Sequence, residues 1–146
     1  MTAVPKTIGQ VEREINQRMR SLYKKKLGHK VSDVSCQLFD AKLAIVLEDA
    51  VTEVEKRLLE SGRVELIEQV HEDLSDSIES NVKEIVESIL NVNVIDILDD
   101  TKLVSGTTGI IAILSDAPQL RPSNNRKANS ESYRRKQHSK QTSVTK

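Results

Sequence analysis

Ile8, Val11, Ile15, Met19 and Leu22 recur at steps of three and four residues, the spacing that lines one face of an α-helix. Thr7 and Gln10 bracket the start of this stripe as a capping box, because the Thr7 hydroxyl can accept from the amide three residues on while Gln10 reaches back. Leu27 and Gly28 close the helix, and Arg13, Arg20, Lys24, Lys25 and Lys26 lie largely off its apolar face. From Val31 to Phe39 the period shifts toward two, with Val34, Cys36 and Leu38 on one face and Ser35, Gln37 and Phe39 on the other, which predicts a strand. Asp40 and Ala41 are too short a link for a crossover, so Lys42 to Leu47 returns antiparallel as a hairpin partner. Thr52 and Glu55 form a second capping box, opening a short helix through Leu58 and Leu59 that Gly62 ends. Ile67, Val70, Leu74, Ile78, Val82, Ile85 and Ile89 then hold one stripe over about seven helical turns, up to Asn91. Val92 to Leu98 and Gly109 to Leu114 read as two further strands, separated by a polar connection that includes Asp99, Asp100, Thr101 and Ser105 to Gly109.

This order contains two helix-hairpin units. Hairpins with helices gathered on one side predict an α+β domain over residues 1–116, with one four-stranded antiparallel sheet covered by two long helices. The alternative completes each hairpin's sheet in a dimer. An all-helical bundle leaves the period-two segments unexplained.

Composition narrows the function. Aromatic residues make up 2% of the 146 residues, which excludes base-stacking platforms and aromatic cages. One cysteine, Cys36, excludes an internal disulfide framework. No apolar run is long enough to span a bilayer, and Met1 to Lys6 lacks the apolar block of an export signal, so a cytoplasmic protein is expected.

The net charge of zero conceals three blocks. Residues 1–30 hold eight basic and two acidic side chains, residues 31–116 six and nineteen, and residues 117–146 eight and one. The last block offers little apolar surface against an ordering cost of roughly 1–2 kcal/mol per residue, so 117–146 is expected to be a disordered basic tail.

Gly28 ahead of the first strand, the hairpin exit from Leu47 through Asp49, Val51, Thr52 and Glu55 to Leu59, the long acidic helix and the terminal Ile110 to Leu114 strand together resemble the YbcI-like family of small bacterial proteins, a domain of unknown function. The resemblance covers roughly residues 7–116. It implies an α+β fold, no enzymatic activity to carry over, and an association with inorganic-carbon uptake.

Site chemistry is sparse. His29, His71 and Cys36 lack the spacing of a metal or nucleophile motif and are read as structural residues. Asp96, Asp99 and Asp100 with Glu48 and Asp49 could gather carboxylates at one sheet end, but without the spacing of a calcium loop. Ser105 to Gly109 has the composition of a phosphate loop but leads into a strand, where no helix dipole assists, so a hairpin turn is expected. No catalytic, cofactor or metal site is therefore assigned. The candidate partner-binding residues are Arg13, Arg20, Lys24, Lys25, Lys26, Arg134, Arg135 and Lys136. Their charge suits a solvating tail, docking on a protein or the periphery of a membrane, or phosphate contacts with nucleic acid. The leading reading is a non-catalytic interaction or regulatory protein that self-associates or engages a protein partner. The alternative is an accessory factor binding nucleic acid through the basic helix and tail.

Overall fold

Thr7 caps the first helix as its sequence predicts. Its hydroxyl accepts from the Gln10 amide at 3.1 Å, and the Gln10 side chain accepts from the Thr7 amide at 2.9 Å, satisfying two donors that a helix start leaves without partners. The computed structural model describes residues 4–121, and α1 spans Ile8–Leu27. Gly28 ends it with φ of 61°, a left-handed conformation that costs a residue with a Cβ more than glycine. The strands β1 (Asp33–Phe39) and β2 (Lys42–Glu48) follow as the expected hairpin. Next come α2 (Glu53–Glu60), capped by Thr52 and Glu55, and α3 (Val64–Leu90), ended by Asn91 with φ of 55°. The last two strands among the described residues are β3 (Val94–Lys102) and β4 (Thr107–Leu114).

The four strands form one antiparallel sheet in the order β1-β2-β4-β3. The two hairpins therefore join through β2 and β4, where Ile45 pairs with Ile110 and Leu43 with Ala112. Helix α1 packs on β1, α3 packs on β3, and the two helices meet along their apolar stripes. Val11, Ile15 and Met19 from α1 thereby share one core with Val82 and Val86 from α3 and with Leu43 and Ile45 from β2. This is the α+β architecture that the periodicity predicts.

Three boundaries differ from the sequence expectation. The polar stretch Asp99 to Lys102 belongs to β3, and Thr107 and Thr108 belong to β4, so the connection shrinks to the turn before Gly106. Cross-strand pairing outweighs the low strand propensity of Asp, and the Thr101 and Thr108 hydroxyls share a hydrogen bond of 2.7 Å within it. In α3, Val70 and Leu74 are only half-buried, in a helix that packs on α2 as well as on α1 and β3. Finally, the contacts of the chain continue past residue 116. Leu120 lies against the core, the Arg121 carbonyl accepts from the Ile8 amide at 3.0 Å, and Arg121 Nε donates to the Pro5 carbonyl at 2.8 Å. The rest of the expected basic tail, including Arg134, Arg135 and Lys136, lies outside the described residues.

Candidate functional site

Two features stand out: a buried polar pair that joins α2 to α3, and a sheet face that no helix among the described residues covers.

Glu55 is the third residue of α2, so its side chain folds back to the helix start, where Oε1 accepts from the Thr52 amide at 3.1 Å and from the Thr52 hydroxyl at 2.9 Å. The other carboxylate oxygen is 2.6 Å from His71 Nδ1 on α3, and Glu55 is only 2% exposed. Burial pushes the carboxyl up, but the hydrogen bonds from His71 and Thr52 and the attraction of the imidazolium outweigh it and hold it below the usual carboxylate range. The same hydrogen bond raises His71, partial burial opposes the rise, and the charges of Glu55, Asp99 and Asp100 add to it. Tyr23 of α1 completes the surroundings, its phenol pushed up to about 12 by burial and by the neighbouring Asp99 and Glu55 charges. A positive imidazole among carboxylates can exchange a proton, but its partner is a helix cap, so its first role is to fasten α2 onto α3.

The outer face of the sheet is built by alternation. Residues opposite the core-facing set form transverse rows through the register: Phe39, Lys42, Ile113 and Asp96 in one, and Gln37, Ala44, Ile111 and Leu98 in the next. Leu98 is 54% exposed, Phe39 44%, and Val46 and Ile111 39% each. Leu98 and Ile111 are neighbours in one row and Val46 is diagonal to Ile111 in the next, an apolar patch of the kind that marks an interaction site, while Phe39 stands on the edge strand beside Lys42, whose Nζ lies 6.0 Å from its ring centroid. Sequence reasoning separated the two faces of β1 but assigned the outer one no role. The signal was present in β4, where Ile111 and Ile113 are apolar on the outer face while Ile110, Ala112 and Leu114 are apolar on the inner one, as in a strand covered on both sides.

The predicted basic residues that lie among the described ones are spread along α1. Arg20 is a local fastening, donating to the Val31 carbonyl at 3.4 Å and to Asp33 at 3.3 Å. The Arg13 guanidinium turns back onto its own helix at the Gly9 carbonyl. Lys24, Lys25 and Lys26 stand exposed in the last turn of α1, where cations complement the helix dipole. Lys25 and Lys26 line a shallow groove with Arg18 and Leu22 from α1 and Asn81 and Glu84 from α3.

The other candidates have structural contacts. His29 Nε2 lies 2.6 Å from the Asp49 carbonyl, and Cys36 Sγ donates to the Glu12 carbonyl at 3.4 Å. Asp96 pairs with Ile113 at the end of the sheet away from Asp100, Glu48 and Asp49. Among the described residues no group of carboxylate, imidazole and thiol side chains is placed to hold a metal ion. Of the Ser105 to Gly109 segment, Ser105 and Gly106 belong to the β3–β4 turn and the rest to β4, and the Gly106 carbonyl accepts from the Ala50 amide at 2.8 Å. No helix among the described residues is long and apolar enough to cross a membrane.

No curated protein and no solved structure matches the chain. A family model does match, over residues 7–116, and its family is described as the Na+-translocating membrane potential-generating system (MpsC). That match overturns the YbcI-like assignment, and the association with inorganic-carbon uptake loses the resemblance on which it rested. The resemblance rested on element layout, and two helices over paired hairpins are a packing solution open to unrelated families. Because the match runs from the capping Thr7 to just beyond β4 and takes in most of the chain, this protein belongs to the MpsC family.

Proposed function

We propose that this chain is a non-catalytic accessory component of the Na+-translocating, membrane-potential-generating system for which its family is named, and that it acts through protein–protein contacts. The observation that carries this reading is the uncovered sheet face. A four-stranded sheet with helices on one side has the opposite side in water, and antiparallel sheets of this kind ordinarily make that side polar. Here Phe39, Val46, Leu98 and Ile111 occupy it, and burying them against a partner would contribute roughly 25 cal/mol per Å² of apolar surface. The acidic charge of the middle block further disfavours direct binding to a polyanion.

The test is site-specific photo-crosslinking in cells, with a photoreactive residue in place of Leu98 on the open face and, as a control, of Glu79 on the exposed side of α3. Protein adducts at position 98 and their absence at 79 are expected. Equal labelling at the two positions would remove the support. A DNA mobility shift that weakens steeply with salt and disappears on charge reversal at Lys24, Lys25 and Lys26 would transfer the function to nucleic acid.

A further inference from the structure

We infer that the occupant of the uncovered sheet face is a second copy of this chain, seated on the same face by a two-fold axis. The inference rests on reading that face as a contact surface and adds the identity of its partner.

The charges around the apolar patch carry the argument. Lys42 on β2 and Asp96 on β3 sit at the two sides of one row, each paired with Ile113 of β4 between them. Toward the other end, Glu48 closes β2 and Lys102 closes β3. Alternation puts all four on the outer side, and all four are exposed. The signs therefore alternate around the patch: positive, negative, positive, negative. A two-fold axis along β4 exchanges the β2 and β3 sides and leaves each residue at its own height. It places Lys42 opposite the partner's Asp96, Glu48 opposite the partner's Lys102, and Ile111 against the partner's Ile111. A two-fold axis across the strands instead sets Lys42 opposite the partner's Glu48 and Asp96 opposite the partner's Lys102. Either in-plane rotation matches opposite charges over an apolar centre, which is the self-complementarity that an isologous dimer requires. A lipid surface fits less well, because Asp96, Asp100 and Glu48 outnumber Lys42 and Lys102 on this face and anionic headgroups repel such a surplus.

The expected strength follows from size. Four strands about 4.8 Å apart and some seven residues long present roughly 400 Å² per copy. A total of roughly 800 Å² lies at the weak, reversible end of protein interfaces. Dimerisation should therefore emerge between micromolar and hundreds of micromolar concentration.

Sedimentation velocity of the full chain over that range tests the inference. A reversible monomer–dimer equilibrium is expected. Ile111→Lys should abolish the dimer, since about either axis it would bury a charge in the apolar centre of the interface, while circular dichroism and the melting temperature report that the domain stays folded. Lys42→Asp should weaken the dimer at least tenfold, and the double variant Lys42→Asp/Asp96→Lys should restore a dimer whose axis runs along β4, because the exchanged charges again face each other there, and not one whose axis crosses the strands, where the exchange sets like charges together, so the pair of variants also identifies the axis. A chain that stays monomeric, or a dimer indifferent to Ile111→Lys, overturns the inference. If the chain is monomeric and Leu98 still crosslinks to a different protein, the second copy is excluded and the contact surface stands. If crosslinking fails as well, both fall.

Discussion

The Glu55 carboxylate, 2% exposed, lies 2.6 Å from Nδ1 of His71, a residue sixteen positions further along the chain and on the next helix. That distance makes the pair a pH-dependent fastening of α2 onto α3. His71 is raised above 6.5, so its contribution is complete below pH 6.5 and fades as pH rises through the folded value. Glu55 is lowered from 4.5, so its contribution is complete above pH 4.5 and fades as pH falls through the folded value. Between these limits both are fully present, with Glu55 ionised and His71 protonated. Thermal unfolding as a function of pH should place the maximum contribution of the pair between pH 4.5 and 6.5. His71→Gln should remove the decline above that window, and a variant that keeps the wild-type alkaline profile would show that the imidazole carries no folded-state charge.

Glu55→Gln separates the two functions of this side chain. The amide oxygen can still accept from Thr52, so the α2 cap persists, whereas the imidazolium loses its counter-charge. The His71 titration followed by NMR should shift toward or below the ordinary histidine value, with a loss of stability of about 1–3 kcal/mol. Glu55→Ala should cost more, because it also removes the cap. An unchanged titration in Glu55→Gln would mean that Asp99 and Asp100, and not Glu55, set the charge on His71.

The parts of this fold legible in sequence are those specified over short range. The capping pairs Thr7/Gln10 and Thr52/Glu55 are three residues apart, and the apolar stripes repeat within a turn, so helix starts and faces follow from neighbours. The strand character of Asp99 to Lys102 does not, since it depends on β4 across the hairpin, including the Thr101–Thr108 hydroxyl contact. His71 shows the same limit. On its own helix it is a boundary histidine between charged neighbours, and only the packing of α2 on α3 supplies its carboxylate. The basic residue Arg20 shows the converse limit. Its charge was visible, but the side chain is committed to Asp33 and Val31, a use that charge alone does not reveal.

The two faces of β2 should respond very differently to the same truncation. Ile45 is fully buried beneath α1 and α3, whereas Val46, its neighbour on the outer face, is 39% exposed. Ile45→Ala should destabilise by about 2–5 kcal/mol, combining lost burial with a cavity that a close-packed core fills only in part. Val46→Ala should cost less than about 1 kcal/mol in the isolated monomer. Urea unfolding of both variants at a concentration low enough to avoid self-association checks this. Comparable losses would mean that the sheet is covered on both sides even in the monomer.

Cys36 provides a chemical probe of α1 on the edge strand. Its thiol donates to the Glu12 carbonyl at 3.4 Å, and the Glu12 carboxylate accepts from the Leu38 amide at 3.2 Å, so one residue of α1 engages β1 twice along the side away from β2. Burial, reinforced by the Glu12 charge, pushes the thiol from 9.0 up to about 12. At neutral pH the thiolate fraction is then lower by about a thousandfold than for a free cysteine, and only the thiolate attacks alkylating reagents. Native protein should react with iodoacetamide orders of magnitude more slowly than protein unfolded in guanidinium. Glu12→Ala should accelerate the reaction, because it removes the neighbouring charge and loosens the helix–strand contact. Fast labelling of the native wild-type chain would mean that β1 separates from α1 in solution, and that its edge is open to pairing with another strand.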